Sequence, residues 1–315
     1  MGSTSYAIGV DIGGTNTVLG LVERSGRVVQ TLRFSTRECI SYIGFLDTLS
    51  QHVSMLLEHI GDRLQGIGVG APNGNLYSGC IEHAPNLPFG GVLPLQNDLQ
   101  QRFNLPVAVT NDANAAAVGE HLFGGAVGID DFFMITLGTG VGSGIFAQGK
   151  LLYGSTGFAG EIGHTIVKHN GRKCNCGRCG CLETYASATG VVRTAEMYLK
   201  ETETRSLLRG VGDGLTAKDV SAAAAAGDKL ALQVFDFTAD KLALGLANAT
   251  AVTSPKVIFL YGGLSESGDL LLNPLKKYFE HYLFTPFQGK TAFRYSDLPK
   301  ETAALLGAAA IVYSL

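Results

Sequence analysis

The apolar positions of this chain change between two kinds of pattern, and the changes predict its elements. Short apolar runs at 6–10, 17–23, 27–34, 64–72 and 105–112 are typical of strands, since each is too short for a helix and is bounded by turn residues. Longer segments, with apolar residues three and four positions apart, predict helices at 40–64, 93–104, 216–227, 229–252 and 301–313. Strands that alternate with helices indicate an α/β protein with a mixed sheet.

Two glycine turns each join one strand to the next. GGTN at 13–16 follows the first strand, and LGTGVGSG at 137–144 sits in a similar strand-turn-strand unit at 131–154. The repetition predicts a duplicated architecture. Glycine lets backbone N–H groups approach a phosphate closely, so we interpret the two turns as a pair of anion cradles. A third glycine-containing segment is KVIFLYGGLSES at 256–267. It is either a plain strand-to-helix turn, or a surface at Gly262 and Gly263 against which an adenine ring packs.

Other nucleotide-binding motifs do not fit. Dinucleotide-binding and Walker loops need their glycines between a strand and a helix, whereas the first turn here lies between two strands. GIFAQGKL at 144–151 has the Walker spacing up to Leu151, where a magnesium-binding Ser or Thr is required, and it lies within a strand pattern.

Two aspartates follow predicted strands. Asp11 ends the first strand beside the first turn, where a hydrated Mg²⁺ would compensate its charge; the alternative is a turn cap. Asp112 lies between a strand and an alanine-rich helix. It is a candidate general base for a substrate hydroxyl, and the alternative is an N-cap, a role that Asn111 or Asn114 would share.

Composition describes an ordinary globular chain with one unusual cluster. The 315 residues are 46% apolar and 16% charged, with a net charge of −3, which gives no indication of nucleic acid or membrane as a partner. We see no signal peptide and no convincing membrane span, and we expect a cytoplasmic protein with reduced thiols. Cys39 and Cys80 stand alone and are interpreted as apolar fillers.

The other four cysteines lie at 174–181, just after two histidines. Clustered cysteines in a reducing compartment bind metal or carry out redox chemistry, and the thioredoxin-like alternative lacks its βαβ context. Spacing alone leaves the ligand set open, because Cys176 and Cys179 have the common C-x-x-C separation and either His164 or His169 is near.

These motifs together resemble the ROK family (repressor, open reading frame, kinase). DIGGTN, TNDANAAAVGE, LGTGVGSG, EIGH and CNCGRCGCLE occur in the family's order and cover essentially the whole chain. The resemblance implies a two-domain actin-like ATPase (ribonuclease H-like) fold with a nucleotide and sugar cleft between the domains. We expect a small N-terminal domain at 1–115, completed by the C-terminal helix at about 298–315, and a larger domain at 116–297 with the zinc motif.

The resemblance also assigns roles to residues. Asp112 matches the catalytic base. The sugar ligands are matched by Asn86, Asn111, Asp112, Glu161, His164 and Glu183. The ligands of the family's structural Zn²⁺ are matched by His164, Cys174, Cys176 and Cys181. We assign ATP and Mg²⁺ to Asp11, Gly13, Gly14, Thr15, Asn16, Gly138, Thr139, Gly140, Gly262 and Gly263.

The resulting hypothesis is an ATP-dependent hexose kinase that converts glucose to glucose 6-phosphate. Only five residues precede Tyr6, so we expect no DNA-binding segment of the kind that the family's repressors carry. The alternatives are a kinase for N-acetylglucosamine, N-acetylmannosamine, fructose, mannose or allose, and a catalytically silent sugar sensor. We also expect a homodimer, because the family often forms dimers.

Overall fold

The computed structural model describes residues 4–58, 60, 63–212 and 214–314. Its strands are β1 (Tyr6–Ile12), β2 (Asn16–Glu23), β3 (Val28–Ser35), β4 (Leu64–Ala71), β5 (Ile81–Glu82), β6 (Val92–Leu93), β7 (Val107–Asn111), β8 (Phe132–Leu137), β9 (Val141–Ala147), β10 (Lys150–Leu151), β11 (Val257–Tyr261) and β12 (Ala292–Tyr295). Its α-helices are α1 (Tyr42–Leu57), α2 (Leu95–Phe103), α3 (Asp112–Phe123), α4 (Glu183–Ala186), α5 (Ala188–Glu201), α6 (Ala217–Ala225), α7 (Lys229–Thr253), α8 (Asp269–Tyr282) and α9 (Ala303–Ser314).

The chain divides into two compact units. Unit 1 comprises residues 1–130, 144–160 and 296–315, and unit 2 comprises 131–143 and 161–295. The domain boundaries expected from the sequence, 1–115 with 298–315 and 116–297, stay predictions.

The sheet of unit 1 has the strand order β3-β2-β1-β4-β7. The first three strands are antiparallel neighbours, whereas β4 and β7 run parallel to β1. Because β1, β4 and β7 are parallel, their carboxyl ends, with Asp11 and Asn111, lie at one edge of the sheet. Helix α9 packs on β1 and β4, where its alanine-rich sequence brings its backbone against Gly9 and Gly68.

A second five-stranded sheet has the order β10-β9-β8-β11-β12, in which β8, β11 and β12 are parallel. It therefore repeats the pattern of the first sheet, with antiparallel strands on one side of the opening strand and parallel strands on the other. This repetition confirms the duplicated architecture that the two glycine turns predicted. In unit 2 the long helix α7 packs against α8 and α5.

The burial pattern explains why these segments form their elements. The interior residues of β1, β4, β8 and β11 are almost all buried, as expected for central strands that are covered on both faces. Helix α1 instead buries only one stripe, which consists of Phe45, Leu46, Leu49, Val53 and Leu56. Among the described residues, no helix combines the length and apolar character needed to span a membrane.

Candidate active site

The first glycine turn joins β1 to β2 in unit 1. The Gly13 N–H group donates a hydrogen bond of 3.0 Å to the Asn16 carbonyl oxygen and closes the turn, which also contains Thr15. Gly14 lies against Asn86, since a Cβ on Gly14 would be 2.3 Å from the Asn86 carbonyl oxygen. Only glycine allows this approach. The fold therefore brings a predicted phosphate-binding turn into contact with a predicted sugar ligand.

Asp11 stands one step before this turn, at the carboxyl end of β1. Its backbone is in register with Gly70 of β4. Burial, and then the negative charge of Asp112, raise the pKa of Asp11 from its usual 3.8 to about 6. Asp11 and Asp112 are thus electrostatic neighbours, although 101 positions separate them in the sequence. Two crowded carboxyl groups of this kind favour a bound cation.

Asp112 is the first residue of α3 and directly follows β7. Asn111 is the N-cap, and its Oδ1 accepts a 2.8 Å hydrogen bond from the Ala113 N–H group. Oδ1 of Asp112 accepts from the same N–H group, also at 2.8 Å. Capping is therefore already performed by Asn111, and the exposed side chain of Asp112 remains available to another molecule.

The pKa of Asp112 lies above its usual range. Although the side chain is accessible to solvent, crowding by surrounding protein atoms removes part of its hydration and is the main cause, opposed by hydrogen bonds from the backbone N–H groups of Ala113 and of Asp112 itself. A carboxylate with a raised pKa is a stronger base than a free aspartate.

The second glycine turn joins β8 to β9 in unit 2. The Gly138 N–H group donates to the Gly140 carbonyl oxygen at 3.1 Å. A Cβ on Gly140 would lie 2.7 Å from Oε2 of Glu183. The second turn therefore also touches a predicted sugar ligand, in this case a side-chain carboxylate.

The ExGH motif forms a short 3₁₀ helix, Ile162–His164, directly after Glu161. The Ile162 N–H group donates to Oγ of Ser143 at 3.1 Å, which fixes this helix to the end of the second turn region. Nδ1 of His164 lies 3.8 Å from Oε1 of Glu183, the residue that begins α4. The structure thus brings His164 and Glu183 together in unit 2, beside Gly140.

Four side chains form a compact set of metal-ligand atoms. The ligand atoms all lie within 4.8 Å of one another, and they belong to His164, Cys174, Cys176 and Cys181. Sγ of Cys176 and Sγ of Cys181 are 3.6 Å apart, and Sγ of Cys174 is 3.8 Å from Nδ1 of His164. Zn–S bonds of about 2.3 Å in a tetrahedron place two sulfur atoms about 3.8 Å apart, so this geometry suits a Cys₃His zinc site.

The alternatives that spacing left open lie outside this set. His169 and Cys179 are both exposed, and neither contributes to the cluster. Partial burial works against ionisation of Cys176, but hydrogen bonds from Arg178 and from the neighbouring thiols lower its pKa to about 6. A thiol that ionises easily is a good metal ligand.

Two arginines that sequence reasoning missed hold this region in place. Arg178 donates to the backbone carbonyl of His164 at 2.8 Å. Arg172 lies 4.8 Å above the Tyr185 ring and donates to the carbonyls of Thr184 and Gly190 at 2.9 and 3.1 Å. The basic residues interspersed among the cysteines were the only signal for such contacts.

The third glycine signal, at 262–263, ends β11. A 3₁₀ helix, Gly263–Ser267, follows and leads into α8 at Asp269, and Oγ of Ser265 donates to the Gly262 carbonyl at 2.6 Å. Both glycines belong to unit 2, as do Gly138, Thr139 and Gly140. Their adenine-binding role stays a prediction.

Comparison with known proteins agrees with these features. The model of the ROK family matches residues 7–314. A glucokinase of Halalkalibacterium halodurans is 39% identical, with 97% of this chain and 94% of that protein covered, and a glucokinase of Thermotoga maritima is 35% identical, with 97% and 96% covered. The crystal structure of a ROK family glucokinase from Streptomyces griseus, in complex with glucose and AMPPNP, is 36% identical and superimposes with a TM-score of 0.81 over 99% of this chain and 100% of that one. The chain therefore belongs to the ROK family and has the actin-like ATPase fold of the family's sugar kinases.

Proposed function

We propose that the protein is an ATP-dependent hexose kinase that phosphorylates glucose on its 6-hydroxyl. The observation that carries the proposal is the placement of Asp112. Asp112 begins α3, its carboxylate accepts local backbone N–H groups, its side chain is accessible to solvent, and its pKa is raised. A positioned carboxylate of this kind accepts the proton of the hydroxyl that attacks the terminal phosphate.

We assign phosphate binding to the glycine turn of each unit. The backbone N–H groups and hydroxyls available there belong to Gly13, Gly14, Thr15, Asn16, Gly138, Thr139 and Gly140. Asp11 would hold Mg²⁺ through water, because burial and the neighbouring charge of Asp112, which raise its pKa to about 6, both favour a bound cation. A magnesium ion held there would supply positive charge against the phosphates of the nucleotide. The close relation to glucokinases and to a structure with AMPPNP supports ATP as the donor.

We assign sugar recognition to Asp112 and to the other polar side chains that match the family's sugar ligands. Asn86 and Asn111 belong to unit 1, whereas Glu161, His164 and Glu183 belong to unit 2. Carboxylates and amides suit an acceptor with many hydroxyls, because each hydroxyl both donates and accepts a hydrogen bond. Glu183 lies against Gly140 on one side and His164 on the other.

The cysteine cluster would hold a structural zinc ion. Three thiols and one imidazole fill a tetrahedral coordination shell, which leaves no open position for substrate. Cys174 also lies within 3.0 Å of Oε1 of Glu183. Zinc would therefore fix the backbone on which His164 and Glu183 stand, and the second ring nitrogen of His164 would face a sugar hydroxyl.

A coupled ADP-release assay with a panel of sugars tests this function. We expect release that depends on sugar, with the highest kcat/KM for glucose among glucose, mannose, fructose, allose, N-acetylglucosamine and N-acetylmannosamine. No sugar-dependent release would overturn the kinase proposal and favour a sugar sensor. A preference for an N-acetylated hexosamine would overturn only the assignment to glucose.

The proposal extends to the oligomeric state of the protein and to its location in the cell. We infer a homodimer, since the family that the sequence resembles often forms dimers, and a cytoplasmic location, since free clustered thiols are typical of a reducing compartment. Light scattering of the purified protein measures the assembly directly, and a monomer mass at micromolar concentration would contradict it.

A further inference from the structure

The second glycine turn is held from one side by the start of α5. The Ala188 N–H group donates to the carbonyl oxygen of Gly138 at 2.9 Å. The Thr189 hydroxyl donates to the carbonyl oxygen of Thr139 at 2.8 Å. Two consecutive carbonyls of the turn are therefore directed towards the first residues of α5.

The direction of these two carbonyls also fixes the direction of the N–H groups that follow them. In a trans peptide, the carbonyl of one residue and the N–H group of the next point in opposite directions, and the described residues contain no cis peptide. The N–H groups of Thr139 and Gly140 consequently point away from α5. Two successive N–H groups with fixed orientations form the kind of concave donor set that binds anions.

The Thr189 hydroxyl is itself positioned by a buried neighbour. It lies 2.9 Å from Oγ of Ser187, which is fully buried and donates to the Glu183 carbonyl at 2.6 Å. The two hydroxyl protons thus serve two carbonyls, one at Glu183 and one at Thr139. Ser187 also caps α5 by accepting the Gly190 N–H group, so the helix does not need the Thr189 hydroxyl in order to begin.

We propose that Thr189 is a positioning residue for the phosphates of the nucleotide. Its hydroxyl fixes the Thr139 carbonyl and thereby aims the Gly140 N–H group at the phosphates, while Ala188 does the same for the Thr139 N–H group. The inference rests on the proposed function, since it takes the second turn as part of the ATP site. Thr189 lies outside the glycine motif, 49 positions after Gly140, and would be a further residue of the phosphate site.

Thr189→Val tests the proposal, because valine keeps the branched shape and removes only the hydroxyl. Thr189→Ser restores the hydroxyl. Thr202→Val is the matched control: its hydroxyl donates to the Tyr198 carbonyl at the opposite end of α5, about 20 Å away at 1.5 Å per residue. Calorimetry would measure binding of AMPPNP, adenosine and glucose to each full-length protein.

We expect Thr189→Val to weaken AMPPNP binding by about three- to tenfold, the effect of one lost hydrogen bond. Adenosine and glucose binding should be unchanged, Thr189→Ser should restore AMPPNP binding, and Thr202→Val should match the wild type. Equal AMPPNP affinity of Thr189→Val and wild type would overturn the inference, as would an equal loss of adenosine affinity. Failure of the wild type itself to bind AMPPNP would instead overturn the proposed function.

Discussion

The two glycine turns occupy equivalent places in the two units but are supported in different ways. In unit 1, Gly14 lies against a backbone carbonyl, that of Asn86, whereas in unit 2 Gly140 lies against a side-chain carboxylate, that of Glu183. Backbone at this position cannot move without shifting its neighbours, while a carboxylate can rotate. The two turns therefore differ in what faces the glycine, which is backbone in unit 1 and a side chain in unit 2.

The chemistry is divided in the same way. Unit 1 holds Asp11 and Asp112, whose pKa values burial raises. Unit 2 holds the Cys₃His cluster together with Glu161, His164 and Glu183. On the proposed function, unit 1 would supply the proton acceptor and unit 2 would supply sugar ligands supported by the metal cluster.

The largest effect is expected from Asp112→Asn in unit 1. The amide cannot accept the hydroxyl proton, so kcat should fall by about 10²- to 10⁴-fold while glucose binding by calorimetry is partly retained. Asp47→Asn is the matched control, because Asp47 is a surface carboxylate of unit 1 paired with Arg102. Turnover of Asp112→Asn within tenfold of the wild type would refute the assignment of the base.

The second-largest effect is expected from loss of the metal, which should weaken the structure of unit 2. Cys181→Ser, or treatment with a chelator, should remove one zinc per chain, weaken glucose binding and lower Tm by roughly 5–10 °C. Cys179→Ser is the control, since Cys179 is exposed and lies outside the cluster. Elemental analysis, thermal melting and calorimetry would compare the two variants with the wild type. A zinc-free protein that keeps both its stability and its glucose affinity would contradict the prediction.

The two turns themselves give a smaller, paired effect. Gly14→Ala places a Cβ against backbone and should destabilise the protein by about 1–3 kcal/mol in urea unfolding. Gly140→Ala should destabilise less, because the Glu183 carboxylate can move, but should raise the KM for glucose by about three- to tenfold. Equal destabilisation by the two variants would show that the turns do not differ as described.

The smallest expected effect is a displacement of the pH profile. Asp112 must be ionised to accept a proton, so kcat/KM is retained above its pKa and lost as the pH falls through it. Because burial raises this pKa, the acid limb should lie closer to neutrality than the usual aspartate value of about 3.9. A kcat/KM profile that stays flat down to pH 4 would contradict the raised pKa.

Much of the fold followed from patterns along the chain. The strands at 6–10 and 17–23 appear as β1 and β2, and the helix predicted at 229–252 is α7, Lys229–Thr253. The helix predicted at 40–64 is shorter, Tyr42–Leu57, and β4 begins at Leu64. Element type is carried by local periodicity, which is why it was predicted more accurately than element ends.

The site was predicted less completely, for a physical reason that Thr189 illustrates. Threonine near a helix start is ordinary in sequence, and nothing in its neighbours indicates that its hydroxyl reaches the Thr139 carbonyl. Arg172 is similar, because its contacts with Tyr185 and Thr184 depend on how the loop folds back. Such contacts join segments that are distant along the chain, so no local pattern encodes them.

The sequence by itself determined the periodic elements, the repeated glycine turns, the candidate residues and the family, because these depend on residue type and short-range spacing. Spacing allowed Cys179 as readily as Cys174 and the family resemblance favoured Cys174, but only the tertiary structure brought Cys174, Cys176 and Cys181 together with His164. It alone placed Asp11 beside Asp112 and Gly140 beside Glu183. Those pairings arise from the packing of strands and loops, in which the direction of each side chain is fixed by the backbone around it.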